Sequence, residues 1–279
     1  MIKIGQYNTL TILRETSVGL FLGDEEGNDI LLPNKYVPNL YDIGDNLSVF
    51  CYLDHDERPV ATTIEPYINL NDFAMLKVME VNKVGAFLDW GLEKHLFVPF
   101  KEQARKMEEG KWYLVYLYLD DETGRLAASS KTNQFISNEE LTVEENEEVD
   151  LIVSRFTDLG TEVIINKKHK GLVYNDETYE RLKLGERKKG FIKKIREDHK
   201  IDVSLQPLGV KVIEPSAEKV LDALKRNRGF LGLHDKSEAE DISSILGMSK
   251  KTFKKAIGSL YKQKKILIKE DGIYLLVSS

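Results

Sequence analysis

One cysteine in 279 residues, Cys51, leaves no disulfide framework and no thiolate cage for a metal, so a reducing compartment is the expected setting. Hydrophobic runs are short. None approaches the roughly eighteen residues that span a bilayer, and Met1-Ile2-Lys3-Ile4-Gly5-Gln6 leads into a strand-like segment instead of a secretion signal. A cytoplasmic protein with no membrane partner is expected. The five histidines, His55, His95, His169, His199 and His234, are scattered without metal spacing, and P-loop, G-x-G-x-x-G and G-x-S-x-G patterns are missing. Asp54 with Asp56 and Asp120 with Asp121 resemble paired carboxylates, but both pairs fall where turns lead into strands, and turn chemistry accounts for them. Neither catalysis, a cofactor, a metal nor a small-molecule substrate is expected.

What the chain has is a threefold repeat. Each copy, roughly 60 to 70 residues long, carries a glycine-marked strand pair, a Gly-plus-polar step, a strand ending in acidic residues and a closing basic strand. The first reads Val18-Gly19-Leu20-Phe21-Leu22, Ile43-Gly44-Asp45, Tyr52-Leu53-Asp54 and Arg58-Pro59-Val60-Ala61-Thr62. The second reads Val84-Gly85-Ala86-Phe87-Leu88, Glu109-Gly110-Lys111, Tyr118-Leu119-Asp120-Asp121 and Arg125-Leu126-Ala127-Ala128-Ser129. A more diverged third copy reads Leu159-Gly160-Thr161-Glu162-Val163, Leu184-Gly185-Glu186, Arg196-Glu197-Asp198 and Lys200-Ile201-Asp202-Val203-Ser204. This unit is too long for a solenoid repeat and suits a small barrel that closes its own core. About five short β-rich runs fit each copy, with a glycine where strand two must bend, as a five-stranded Greek-key OB barrel requires.

From Ser216 onward the period changes from 2 to 3.6. Val220, Leu221 and Leu224 mark one helix, Ile242, Ile245 and Leu246 a second, and Phe253, Ile257 and Leu260 a third. Ser237 and Glu240 form a capping box for the second helix, Gly247 ends it, and Ser249 caps the third. Two β-like runs follow, 265–268 and Ile273 to Val277, joined by an Asp271-Gly272 hairpin signal. Three helices closed by a hairpin make a winged helix. The fold class is therefore mainly β and multidomain: barrels over 1–66, 67–143 and 144–215, then an α+β winged-helix domain over 216–279.

Net charge, −6 overall, is informative only when divided. Residues 1–150 hold 13 Lys and Arg against 28 Asp and Glu, a balance of −15; residues 151–279 hold 27 against 18, a balance of +9. A basic half is the footprint of a polyanion-binding surface. On the third helix the charge segregates: Phe253, Ala256, Ile257 and Leu260 share one face, and Lys251, Lys254, Lys255, Lys262 and Lys265 collect on the other, with no acid between Ser249 and Lys269. Like charges at i, i+4 cost stability unless a partner compensates, which points to nucleic acid.

Leu231-Gly232-Leu233-His234-Asp235-Lys236-Ser237 leading into Gly247-Met248-Ser249-Lys250-Lys251, with Val84-Gly85-Ala86-Phe87-Leu88-Asp89-Trp90-Gly91-Leu92 upstream, resembles the bacterial conserved virulence factor B (YitL) family. The resemblance covers essentially the whole chain. It implies three tandem S1-type OB domains, a C-terminal winged helix, RNA binding and a role in gene regulation.

S1-type domains stack bases on aromatics of strands two and three and meet the backbone with a cation near strand five. Carried onto this chain, the strand-two aromatic is Phe21 and Phe87, replaced by Glu162 in the third copy, and the cation is Arg58, Arg125 and Lys200. The strand-three position falls on Pro33, Pro99 and Tyr174, so no copy shows the full aromatic pair, and packing or interface roles are expected to dominate at Phe21 and Phe87. The third copy instead gains Lys167-Lys168-His169-Lys170 in a loop and Arg187-Lys188-Lys189 with Lys193-Lys194 along strand four. Because backbone charge dominates nucleic-acid affinity, the third copy and the winged helix are the expected surface for single-stranded RNA. The first two copies are then weak auxiliary sites (Phe21, Arg58, Phe87, Arg125), scaffold or a protein dock. A DNA-binding regulator acting through the winged helix and an adaptor on the ribosome or RNA-decay machinery remain the other readings.

Overall fold

The computed structural model describes residues 1–175, 181–207 and 215–276, in two units, one holding Met1–Asn175 with Leu182–Leu205 and the other Arg181 with the residues from Gln206 on. In the first unit β1 (Gln6–Thr16), β2 (Gly19–Gly23), β3 (Asp29–Pro33), β4 (Asn46–Leu53) and β5 (Pro59–Thr62) close a barrel in the order β1-β2-β3-β5-β4. The third copy repeats this with β11 (Glu148–Phe156), β12 (Gly160–Ile165), β13 (His169–Tyr174), β14 (Arg187–Ile195) and β15 (Ile201–Ser204). The second copy, β6 (Phe73–Val81), β7 (Gly85–Asp89), β8 (Leu96–Pro99), β9 (Trp112–Leu119) and β10 (Leu126–Ser129), has the same order but no ladder between β8 and β10. Period-two alternation fills each core: Leu10 and Ile12 point inward from β1, as do Val149, Leu151 and Val153 from β11.

The marker glycine that opens strand two has a different cause from the predicted bend. A Cβ at Gly19, Gly85 or Gly160 would lie 2.1, 2.4 or 2.2 Å from the carbonyl oxygen of Leu32, Val98 or Val173, so strand three can approach only a residue without a side chain.

Apolar seams join the barrels. Phe50 and Tyr52 of β4 meet Trp90 of the second barrel edge-on, with ring centroids 5.9 and 6.2 Å apart. On the other side Phe73 packs against Ile152 and Ile164 of the third barrel, and Tyr116 stacks on Phe135 at 4.0 Å.

The second unit is a winged helix. It comprises α1 (Pro215–Arg226), β16 (Phe230–Leu231), α2 (Ala239–Leu246), α3 (Lys250–Lys262), β17 (Ile266–Lys269) and β18 (Gly272–Leu275), with a sheet in the order β16-β18-β17. Val220, Leu224, Ile242, Phe253, Ile257, Leu260 and Ile273 form its core. Burying each such side chain contributes about 1.5–3 kcal/mol before entropy is counted. Strand β16 is too short to leave a periodic signal. Ser249 caps α3 as expected, its hydroxyl accepting from the Thr252 amide at 3.2 Å, and Gly247 ends α2. The Ser237–Glu240 capping box does not form: Glu238 is the N-cap without a side-chain bond, and the Ser237 hydroxyl is turned back to accept from the His234 amide at 2.9 Å. The hairpin turn is Glu270-Asp271, since Lys269 pairs with Gly272, whose missing side chain admits the Leu231 carbonyl. Val277, the expected end of the last strand, lies outside the described residues. Among the described residues no helix is long and apolar enough to cross a membrane.

Candidate nucleic-acid interface

The three barrels present one equivalent position differently. Each first strand bulges at the same point, so Arg14 faces Phe21, Glu80 faces Phe87 and Arg155 faces Glu162. In the first barrel the Arg14 guanidinium lies 4.1 Å above the Phe21 ring and also pairs with Asp29 at 2.7 Å, leaving the ring half-covered by a cation. In the third barrel the Glu162 carboxylate takes two bonds from Arg155, at 2.9 and 2.7 Å, and one from Lys170 at 3.0 Å. Burial pushes the Glu162 carboxyl up, but the bonds from Arg155 and Lys170 outweigh it and hold the group below its ordinary value.

The second barrel carries an aromatic pair that motif reading missed. Phe87 is opposite Phe97 of β8, with ring centroids 5.1 Å apart and planes 35° from parallel, and both rings are half-exposed. Pro33, Pro99 and Tyr174 lie two residues further along strand three, opposite the marker glycines. Neither Phe21 nor Phe87 belongs to a barrel core. The signal for Phe97 was in the alternation: buried Leu96 and Val98 put Phe97 on the outward face with Pro99.

Most basic residues of the third barrel have internal partners. Lys167 and Arg187 both reach the Asp72 carboxylate of the second barrel, at 2.7 and 2.9 Å, and Arg187 also donates to the Phe73 carbonyl at 2.6 Å. Lys189 pairs with Asp150 at 2.8 Å, Lys200 with Asp198 at 2.6 Å, and Lys188 lies 3.8 Å from Glu186. Lys168 and Lys193 are exposed. Only Asn166 to Lys168 form the turn; His169 opens β13 and is buried, its ring held by the Ser137 carbonyl at 2.6 Å and Thr142 at 2.8 Å. The Tyr174 hydroxyl accepts from Arg196, whose guanidinium lies 5.8 Å from the ring centroid.

Two of the strand-five cations, Arg58 and Lys200, are tied to the turns that precede them, whereas Arg125 pairs with Glu57 of the first barrel. Arg58 is held by Asp54 at 2.7 Å and Asp56 at 2.9 Å. Burial would raise the Asp54 carboxyl, yet the Arg58 guanidinium and the turn amides hold it below its ordinary value, and Asp120, bonded to the Thr123 and Glu122 amides, is lowered in the same manner. Each turn places a residue in the left-handed region at the same point: Glu57 at φ 63°, Gly124 at 68° and His199 at 60°. Where that residue has a side chain, it reaches outside its own barrel. His199 Nδ1 lies 3.0 Å from the Asn138 carbonyl, and the Glu57 carboxylate meets Lys94 at 2.9 Å and Arg125 at 3.1 Å, both in the second barrel.

On the winged helix the charge segregation is realised. Phe253, Ala256, Ile257 and Leu260 are buried, while Lys251, Lys254, Lys255 and Lys262 are exposed. Among the described residues no carboxylate lies within ion-pair distance of Lys251, Lys254 or Lys262. Lys265 is not on this face: α3 ends at Lys262, and Lys265 is half-buried between it and β17, its amide donating to the Leu260 carbonyl at 3.0 Å.

Comparison with known proteins agrees with this architecture. Residues 218–275 match the CvfB-like winged helix domain, and residues 4–64 and 73–131 each match the S1 domain. The third barrel lies between those spans and shares their strand order. Uncharacterized protein YitL of Bacillus subtilis is 30% identical over 277 residues, covering 96% of this chain and 92% of its own length. Conserved virulence factor B of Staphylococcus epidermidis is 28% identical over 242 residues, covering 84% and 81%. A solved multidomain protein with nucleic acid binding domains from Streptococcus pneumoniae is 26% identical and spans 98% of both chains, with a TM-score of 0.42.

Proposed function

The chain belongs to the conserved virulence factor B family, and we propose that it is a noncatalytic cytoplasmic regulator of gene expression that binds single-stranded RNA through its third barrel (144–215) and its winged helix (216–279). S1 and winged-helix domains are both nucleic-acid-binding types. The observation that carries the proposal is the α3 face, where exposed lysines stand beside one another with no carboxylate, among the described residues, within ion-pair distance of Lys251, Lys254 or Lys262. A phosphate backbone supplies the missing counter-charge, and the +9 balance of residues 151–279 extends the attraction beyond the helix. Single-strand modules favour RNA over duplex DNA, because a B-form duplex offers S1-type barrels no unstacked bases. In the third barrel the accessible contacts are Lys168, Lys193 and the outer parts of Lys170, Lys188, Lys189 and Lys200.

Photo-crosslinking of the full chain to a uridine-containing single strand and, in parallel, to a photoreactive DNA duplex, followed by peptide mapping, tests the assignment. Crosslinks concentrated in α3 and the third barrel support it. Crosslinks confined to residues 1–150 contradict it and return the acidic barrels as the reader, and crosslinks to duplex DNA alone favour a DNA-binding regulator.

A further inference from the structure

The winged-helix sheet turns one face to the helices and leaves the other uncovered. Leu231, Ile266 and Ile273 point into the core, and the alternation turns Phe230, Leu267 and Tyr274 outward. The ladder aligns these three in one row across β16, β18 and β17, since Phe230 and Leu267 both stand opposite Tyr274. Phe230 is 40% exposed and Leu267 37%. The two ring centroids are 4.8 Å apart with planes 44° from parallel, so neither ring covers the other. The Phe230 ring rests on Gly272, where a Cβ would lie 2.8 Å from Cε2, an approach open only to a residue without a side chain. Lys269 is exposed on the same strand as Leu267, its Nζ 4.8 Å from the Tyr274 ring centroid, and it makes no ion pair among the described residues. The neighbouring acid is already engaged: the Asp271 carboxylate accepts from the Tyr274 hydroxyl at 2.5 Å.

We infer that this face of the sheet is a base-stacking platform for single-stranded RNA, with a base on Phe230 beside Tyr274 and the adjoining phosphate on Lys269. The inference rests on the reading that the winged helix contacts RNA, and it gives that contact a hold on bases in addition to the charge of α3. Aromatics on an open sheet are a means of holding unpaired bases, because every base has a π-face. Charge selects the occupant. Residues 216–279 hold 13 Lys and Arg against 8 Asp and Glu, and Arg228 before Phe230 and Lys269 after Leu267 put a cation on each outer strand of the row or beside it. A duplex keeps its base faces stacked on one another and offers the rings nothing.

Anisotropy titrations of the full-length chain with a labelled uridine-rich single strand, at several salt concentrations, test it. Phe230→Leu removes the π-face while keeping an apolar side chain at a position outside the core. It should weaken binding by about 5- to 150-fold, as for one lost stacking surface, with the salt slope unchanged, because stacking releases no counterions. Phe230→Tyr should bind like the parent. Lys269→Gln should flatten the slope by about 0.7, the value for one phosphate contact on a single strand. In the parent chain, uridine photo-crosslinks should reach the peptides that carry Phe230 and Tyr274, a readout that depends on no variant's folding. Parent affinity in Phe230→Leu, or crosslinks that leave both peptides unmarked, overturns the platform, keeps the charge reading of α3 and returns this row to a protein partner. A parent chain that binds no single strand overturns both.

Discussion

Arg187 of the third barrel donates to the Asp72 carboxylate of the second at 2.9 Å, and Lys167 reaches the same carboxylate at 2.7 Å. Asp72 is nearly buried beside Phe73, which closes the apolar seam, while both cations keep about half their surface in solvent. Two cations from the basic half are thereby committed to holding the barrels together.

Asp72→Ala should therefore destabilise the barrel unit by about 1–2 kcal/mol, between the values for exposed and buried pairs. It should not weaken RNA binding, since it releases Lys167 and Arg187. Denaturant unfolding alongside an RNA titration checks both; reduced affinity in the folded variant would mean that the clamp itself orders the binding surface.

Replacing Lys251, Lys254, Lys255 and Lys262 together with Ala should leave the winged helix folded, because the buried face of α3 is untouched. Affinity should fall across RNA sequences, and the salt slope should flatten by about 0.7 for each phosphate no longer neutralised. An unchanged slope in the folded variant would make this face an ordinary solvated one.

Glu162 gives the third barrel an acid-sensitive ion pair. Its folded carboxyl is lowered by Arg155 and Lys170 against the effect of burial, so its contribution is complete above the ordinary glutamate range and disappears as pH falls through the lowered folded value. Glu162→Gln should cost about 1 kcal/mol at neutral pH, with the gap to the parent closing in acid below the ordinary carboxylate range. Urea midpoints for both proteins at the two pH values measure this; a gap that persists in acid would assign the effect to shape instead of charge.

Cys51 reports on the first barrel. It is fully buried, and burial pushes its thiol up to about 12. Alkylation in the native state should be slow and should rise with denaturant in step with unfolding of the barrel. Rapid labelling of the native protein would show that β4 opens locally.

The barrels were legible because every copy repeats the glycine that strand three must approach, and the winged helix because its period shifts and its caps are local. The Phe87–Phe97 pair was hidden by reading a family position at Pro99 when the outward alternation of Leu96-Phe97-Val98-Pro99 already offered the ring. The long-range partners of the basic residues were not legible. A lysine's sequence neighbours do not reveal a carboxylate 95 residues away, as for Lys167 and Asp72, or 115 away, as for Arg187. Strand β16 was missed for the same reason, since it exists through its ladder with β18, whereas the Ser237 cap failed locally, its hydroxyl accepting from the His234 amide three residues back.

Filter binding of the full-length chain to single-stranded RNA, single-stranded DNA and duplex DNA across a series of salt concentrations bears most directly on the central claim. The account predicts tightest binding to single-stranded RNA, with log affinity falling linearly against log salt as several phosphates are released from their counterions. Tighter binding to duplex DNA, or an RNA affinity that ignores salt, would contradict it.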